Sequence, residues 1–196
     1  VRHGQSEFNA LNLFTGWKNP PLTKKGEQEA FEAGKRISKL KVEFQYHFTS
    51  KLIRAQKTGE IILKELNQIQ IKTINNEALN ERDYGELSGL NKDESRQKWG
   101  KDQVHIWRRS FDVPPPGGES LKDTAARVVP YFEREVLPLL NSNNNVLITA
   151  HGNSIRSLIK YIENLTEEEI VEIEVETGMP IIYSRNDQGK MSKLEV

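Results

Sequence analysis

The sequence predicts an α/β fold, a three-layer α/β/α sandwich around a mostly parallel central sheet, and three observations predict it. Segments that alternate like strands exchange along the chain with segments of helical spacing. The run "VLITA", Val146 to Ala150, is continuously apolar and has the length of a strand buried on both faces. Two stretches, "VRHG" at the start and "ITAHGN" late in the chain, share a plan in which a β-rich run ends in His-Gly and a loop or helix begins.

Taken in order, the elements support that reading. The chain opens at Val1 without a methionine, so the strand feeding Arg2 and His3 is expected to have begun upstream. From Thr23 to Leu40, Ala30, Ala33, Ile37 and Leu40 recur at helical spacing, with Thr23 as the expected N-cap. "VEFQYHFTS" alternates through Phe44, Tyr46 and Phe48 as a strand does. Ser50 is expected to cap a second helix whose apolar face runs through Ile53, Ile62 and Leu66. "IQIKTI" reads as a short strand before the polar stretch "NNEALNERDYGELSGLNK". A capping box of Ser120 and Asp123 starts a helix expected to reach about Leu140, kinked at Pro130. After the turn-rich "NSNNN" come "VLITA", a helix opening at "HGNSIRSLIKYI" and a final hairpin-like stretch, "YSRNDQGKMSKLEV".

Composition narrows the function. The 196 residues suit one domain spanning 1–196, and "PPPGG" at Pro114 to Gly118 reads as a rigid loop inside it. The 28 basic residues balance 28 acidic ones, so nucleic acid finds no support and an anionic ligand must be met by a local cluster of cations. The lack of cysteine excludes disulfides, thiolate zinc sites and a cysteine nucleophile, and fits a cytoplasmic protein. No apolar run reaches membrane-spanning length. With four histidines, one in the alternating strand (His47) and one before a tryptophan (His105), no ligand spacing for a metal stands out, and no metal is expected.

At the carboxyl ends of neighbouring strands, His3 and His151 would share one pocket. Glycine after each, Gly4 and Gly152, would allow close backbone approach to a ligand. Imidazole attacks phosphorus and leaves again as phosphohistidine, which splits one hard displacement into two, and Arg2 beside it offers a fork for phosphoryl oxygens. Taken singly, each histidine could equally end a strand and hydrogen-bond locally; it is the pair that favours catalysis.

The segments "RHGQSEFN", "TGW", "LTKKGEQEA", "TSKLIRAQKT", "LNERDYGELSGLNK", "WRR", "GGES" and "AHGNSIR" resemble the cofactor-dependent phosphoglycerate mutase family of the histidine phosphatase superfamily, in order and over essentially the whole chain. The resemblance implies an isomerase of glycolysis and gluconeogenesis that interconverts 2- and 3-phosphoglycerate, is primed by 2,3-bisphosphoglycerate, and forms a homodimer or larger homo-oligomer. It implies that His3 is phosphorylated, that Arg2, Arg54 and His151 hold the transferring phosphoryl, and that Glu81 trades a proton with the substrate hydroxyl. Ser6, Asn9, Thr15, Gly16, Arg82, Tyr84, Lys92, Arg108, Arg109, Gly152 and Asn153 match the ligand-binding set, whereas Trp17 reads as packing. A histidine phosphatase transferring to water and a non-catalytic phospholigand module are the alternatives. Lys92, Arg108 and Arg109 favour the mutase, because a second anionic group must be gripped away from His3. Compared with longer members, the segment between Arg109 and Ser120 is short and little follows the final hairpin, which implies less material for a lid and more hydrolysis per transfer.

Overall fold

A computed structural model describes residues 1–194; Glu195 and Val196, at the end of the expected domain span and hairpin, lie outside the described residues. The first elements are α1 (Glu7–Ala10), α2 (Lys24–Ser38), β1 (Tyr46–Thr49), α3 (Ile53–Glu65) and β2 (Lys72–Asn75). Two 3-10 turns, Glu77–Leu79 and Gly85–Leu87, lead to α4 (Lys92–Trp99) and α5 (Lys101–Arg109). Then follow α6 (Leu121–Tyr131), α7 (Leu137–Asn141), β3 (Val146–Thr149), α8 (Gly152–Glu163), α9 (Glu167–Glu172) and the hairpin β4 (Ile182–Arg185) and β5 (Met191–Leu194).

Strands β2, β1 and β3 lie side by side in that order, all parallel, and Arg2 continues the pattern through a parallel bridge to Ala150. The β4–β5 hairpin is antiparallel and forms its own two-stranded sheet. Side chains alternate across the parallel strands, and this alternation builds the layers. On one face Leu147 packs with Ala33 and Ile37 of α2 and Ile62 and Leu63 of α3. On the other, Phe48 packs with Val128 and Tyr131 of α6 and Leu158 of α8. The sheet is therefore sandwiched between two helical layers, and every parallel strand ends on the same edge.

Local chemistry sets most boundaries as expected. Thr23 accepts from the Gly26 amide at 3.1 Å to cap α2, and Ser120 and Asp123 form a reciprocal capping box on α6. Four expectations are corrected. Helix α3 begins at Ile53 behind Leu52, not behind a Ser50 cap, and Ile53 is 41% exposed because the buried face runs instead through Arg54, Thr58 and Ile62. The strand after "VEF" starts at Tyr46, so Phe44 precedes it. β2 is a mostly exposed edge strand and Ile69, 64% exposed, lies outside it. At Pro130, which has no amide to donate back into the helix, α6 does not merely kink: it passes into a π turn, Phe132–Val136, before α7.

Gly4 is also corrected. A Cβ there would lie 2.0 Å from the Gly26 carbonyl oxygen, and one on Gly26 would lie 2.1 Å from that of Gln5. The pair of glycines lets the loop after His3 cross the first turn of α2 in backbone contact, and the Gly4 amide is committed to Thr58 Oγ1 at 3.1 Å. Gly4 thus serves packing of the loop rather than approach of a ligand.

Candidate active site

The parallel bridge between Arg2 and Ala150 fixes the two His-Gly turns side by side, with the His3 amide donating to the Ala150 carbonyl at 3.0 Å. The imidazoles of His3 and His151 consequently lie with centroids 5.0 Å apart, tilted by 58°. Ser50, at the carboxyl end of β1, reaches His151 Nε2 at 2.7 Å, so the residue read as a helix cap belongs to the site.

The electronic state of His3 follows from its partners. Its Nδ1 lies 2.7 Å from the Gly4 carbonyl oxygen, which can only accept, so Nδ1 carries the proton and Nε2 carries the lone pair. Arg54 Nε donates to that Nε2 at 3.3 Å. Arg54 is itself held rigid, with Nη1 and Nη2 donating to the carbonyls of Lys18 and Gly16 at 2.8 and 3.0 Å. Burial, followed by the charges of Arg54 and Arg2, pushes the His3 pKa well below its ordinary value; burial and Arg54 do the same to His151. Both imidazoles are neutral near pH 7. Burial also brings the Arg54 pKa down to about 10, which leaves it charged.

Glu81 is fixed by one oxygen. Its Oε1 accepts from the Arg82 amide at 2.8 Å, the Asn153 amide at 3.1 Å and Asn153 Nδ2 at 3.0 Å. Its Oε2 faces the bare backbone of Gly152, where an added Cβ would come within 3.7 Å of that oxygen and of Arg2 Nε. The Glu81 carbonyl is clamped from behind by Trp17 Nε1 at 2.7 Å and Arg127 Nη2 at 2.9 Å. Trp17, 41% exposed, is thus a hydrogen-bond donor to the site rather than packing. Arg127 also donates to the carbonyls of Ala78 and Asn80 and pairs with Glu119 at 2.7 Å.

Of the residues expected at the site, Arg2, Asn9, Thr15, Glu81 and Tyr84 line one cleft of about 120 Å³ together with Lys92, Arg108, Arg109, Gly152 and Asn153. His3, Arg54 and His151 are buried beside it. Gly16 takes part through its carbonyl. Arg82 is buried and donates through Nη2 to the Tyr84 hydroxyl at 3.0 Å. Ser6 does not line the cleft; its hydroxyl caps α1 by accepting from the Asn9 amide at 3.2 Å. Arg156 and Glu174 line the cleft without having been singled out in the sequence, although Arg156 stands one helical turn from Gly152 in "GNSIR".

Burial would raise the Tyr84 pKa, but the charge and hydrogen bond of Arg82 outweigh it and lower it. Lys92 and Arg108 are both lowered, by burial first, and Lys92 also by its neighbour Arg108, the mark of cations gathered in one place. Among the described residues, Arg2 Nε, Arg82 Nε and Nη1, and His151 Nδ1 are buried and find no hydrogen-bond partner. Unsatisfied donors on cations fit a multiply charged anion. Among the described residues no group of three or more His, Cys, Asp or Glu could hold a metal ion, and no helix is long and apolar enough to cross a membrane.

A neutral nucleophile facing a guanidinium, with a carboxylate at hand and a cation-lined cleft, is equipped for phosphoryl transfer. The family model of the histidine phosphatase superfamily (branch 1) matches residues 1–194. Proteins named 2,3-bisphosphoglycerate-dependent phosphoglycerate mutase from Parvibaculum lavamentivorans and Methylobacterium sp. are 56% and 59% identical to this chain, over all of it and 93% and 94% of their own length. This chain belongs to the phosphoglycerate mutase family of the histidine phosphatase superfamily. Solved structures show the same fold: Bacillus stearothermophilus YhfR superimposes with a TM-score of 0.82 at 24% identity, covering 98% of this chain and 92% of that one. The alpha-ribazole phosphatase from Shigella flexneri does so with a TM-score of 0.82 at 21% identity, covering 99% and 93%.

Proposed function

We propose that this chain is a 2,3-bisphosphoglycerate-dependent phosphoglycerate mutase of glycolysis and gluconeogenesis, working as one domain, and that it interconverts 2- and 3-phosphoglycerate through phospho-His3. The observation that carries the reading is the division of cations into two groups. Arg54 Nε lies 3.3 Å from His3 Nε2, whereas Lys92, Arg108 and Arg109 line the cleft beside it, with Arg2 common to both. The first group suits a phosphoryl in flight and the second the distal anionic group of the same ligand.

Bound 2,3-bisphosphoglycerate supplies the phosphoryl that primes the enzyme. His3 Nε2 donates its lone pair to phosphorus while the bond from phosphorus to the ester oxygen breaks, and the leaving oxygen takes the proton that Glu81 carries on Oε2 when it enters this step as the carboxylic acid. Arg54 and Arg2, with the N–H of His151 Nδ1 in the tautomer that accepts from Ser50, meet the charge on the equatorial oxygens. In the return step a substrate hydroxyl passes its proton to Glu81 and attacks phosphorus as the bond to Nε2 breaks. Lys92, Arg108 and Arg109 hold the carboxylate or second phosphoryl, and Asn9, Thr15, Asn153 and the Gly152 backbone shape the remaining contacts. The Ser6 hydroxyl acts by fixing the loop that carries Asn9.

Since the arginines supply the positive charge, the reaction is proposed to need no metal. On the resemblance alone we also infer a cytoplasmic homodimer or larger homo-oligomer, to be checked by light scattering. Coupled conversion of 3-phosphoglycerate, with and without 2,3-bisphosphoglycerate and in EDTA, tests the function. Turnover that requires the bisphosphate and survives the chelator is expected; hydrolysis without isomerisation would identify a phosphatase.

A further inference from the structure

The cleft holds a carboxylate that the reaction does not use. Glu174 pairs through Oε1 with Arg109 Nη2 and lies with Oε2 3.6 Å from Arg156 Nη2. Its backbone neighbours are pinned: the Ile173 carbonyl accepts from Arg156 Nε and the Val175 carbonyl from Arg2 Nη1, each at 2.7 Å. The Glu174 side chain is nonetheless 65% exposed, so it can swing into water without moving the segment that carries it. Arg156 Nη1 is also 3.3 Å from Asn153 Oδ1, whose amide group holds Glu81.

From this geometry we infer that Glu174 is a specificity-determining residue, a resident carboxylate that occupies Arg109 and Arg156 until a ligand's own second anionic group displaces it. The inference rests on phosphoglycerate being the ligand. With Glu174 in place Arg109 is neutralised, so a simple phosphate ester held at His3 gains nothing from that end of the cleft. A ligand that also carries a carboxylate or second phosphoryl competes for both guanidiniums, and the displaced Glu174 is hydrated at little cost. Glu174 and Arg156 thus set how much charge a ligand must bring in order to be held by both ends.

The test is calorimetric binding of 3-phosphoglycerate and of β-glycerophosphate, which has the phosphoryl but no carboxylate, to the wild-type chain and to Glu174→Gln. Removing the competitor should tighten 3-phosphoglycerate about two- to fivefold, the scale of an exposed ion pair, and leave β-glycerophosphate unchanged. In Arg109→Ala the same Gln substitution should lose most of that gain. Weaker binding of 3-phosphoglycerate to Glu174→Gln, no change, or an equal change for both esters would overturn the inference and assign Glu174 to holding the arginines in place or to the general field. Isomerisation is measured separately on the same proteins. Its absence from the wild type would sink the functional reading without altering what the binding comparison says about Glu174.

Discussion

Arg54 Nε points its hydrogen at the lone pair of His3 Nε2 from 3.3 Å, while two backbone carbonyls fix the rest of the guanidinium. A cation aimed at a nucleophile's lone pair lowers its basicity in the resting state. In the proposed transfer phosphorus bonds to that nitrogen, and the same cation would then face the new oxygens. Arg54→Gln should therefore reduce kcat by about 10²–10³-fold, the cost of removing one preorganised donor. Single-turnover phosphorylation by 2,3-bisphosphoglycerate should slow in parallel, and circular dichroism should show a folded protein. A variant that loses only KM would show that Arg54 positions substrate and does not stabilise transfer.

Replacing Arg108 and Arg109 together by alanine should raise KM for phosphoglycerate strongly and leave hydrolysis of p-nitrophenyl phosphate little changed. Both arginines line the cleft with Lys92 and Tyr84, whereas His3 is buried beside it. Equal loss on both substrates would place these arginines at the phosphoryl itself.

Arg127 does not line the cleft, yet it closes the carbonyls of Ala78, Asn80 and Glu81 and pairs with half-buried Glu119. Arg127→Ala should lower the unfolding free energy by about 1.5–3 kcal/mol, as for charged hydrogen bonds lost in a partly buried setting. It should also lower kcat while sparing phosphate-ester binding, because the Glu81 loop loses its rear support. Urea melts together with the KM and kcat of the variant check both effects; unchanged kcat would make the clamp purely structural.

Acid should destabilise the protein through its buried histidines. Burial, before any other cause, depresses His3 and His151 well below 6.5 and His47 to about 4. In the unfolded chain each takes up a proton near 6.5, but in the folded chain only at lower pH. Stability is therefore fully present above about 6.5 and is lost as pH falls toward 4, at about 1.4 kcal/mol per pH unit for each proton. His47 sits between Thr73 and Thr149, outside the cleft, and His47→Asn should make the slope shallower by about one proton. Urea melts from pH 4.5 to 7 give that slope, and an unchanged slope would mean that His47 titrates alike in both states.

The fold was legible wherever one local signal decided an element. Thr23, and Ser120 with Asp123, name their helix starts because a side-chain oxygen and an amide meet within three residues. "VLITA" reads as a strand because both of its faces are covered. Ser50 misleads because a serine before a helix has the same local look whether it caps or not: its hydroxyl accepts from the Leu52 amide, ahead of the helix, and its other partner is a histidine 101 positions away. The π turn after Pro130 was out of reach for a similar reason, since periodicity gives the missing rung but not how the chain accommodates it. In the site, His3, Arg54 and His151 stand in dense motifs, whereas Arg127, Trp17 and Glu174 act through backbone carbonyls or the ion pairs of an exposed carboxylate and leave no spacing to detect.

The central claim is that His3 Nε2 carries the phosphoryl between ligands. Incubation with 2,3-bisphosphoglycerate labelled in the phosphoryl groups, alkaline quench and peptide mapping should place an acid-labile phosphate on His3. A chase with unlabelled 3-phosphoglycerate should remove that phosphate into bisphosphoglycerate faster than into water. His3→Ala should show neither label nor turnover. Label on His151, or label on His3 that leaves only as inorganic phosphate, would contradict the account.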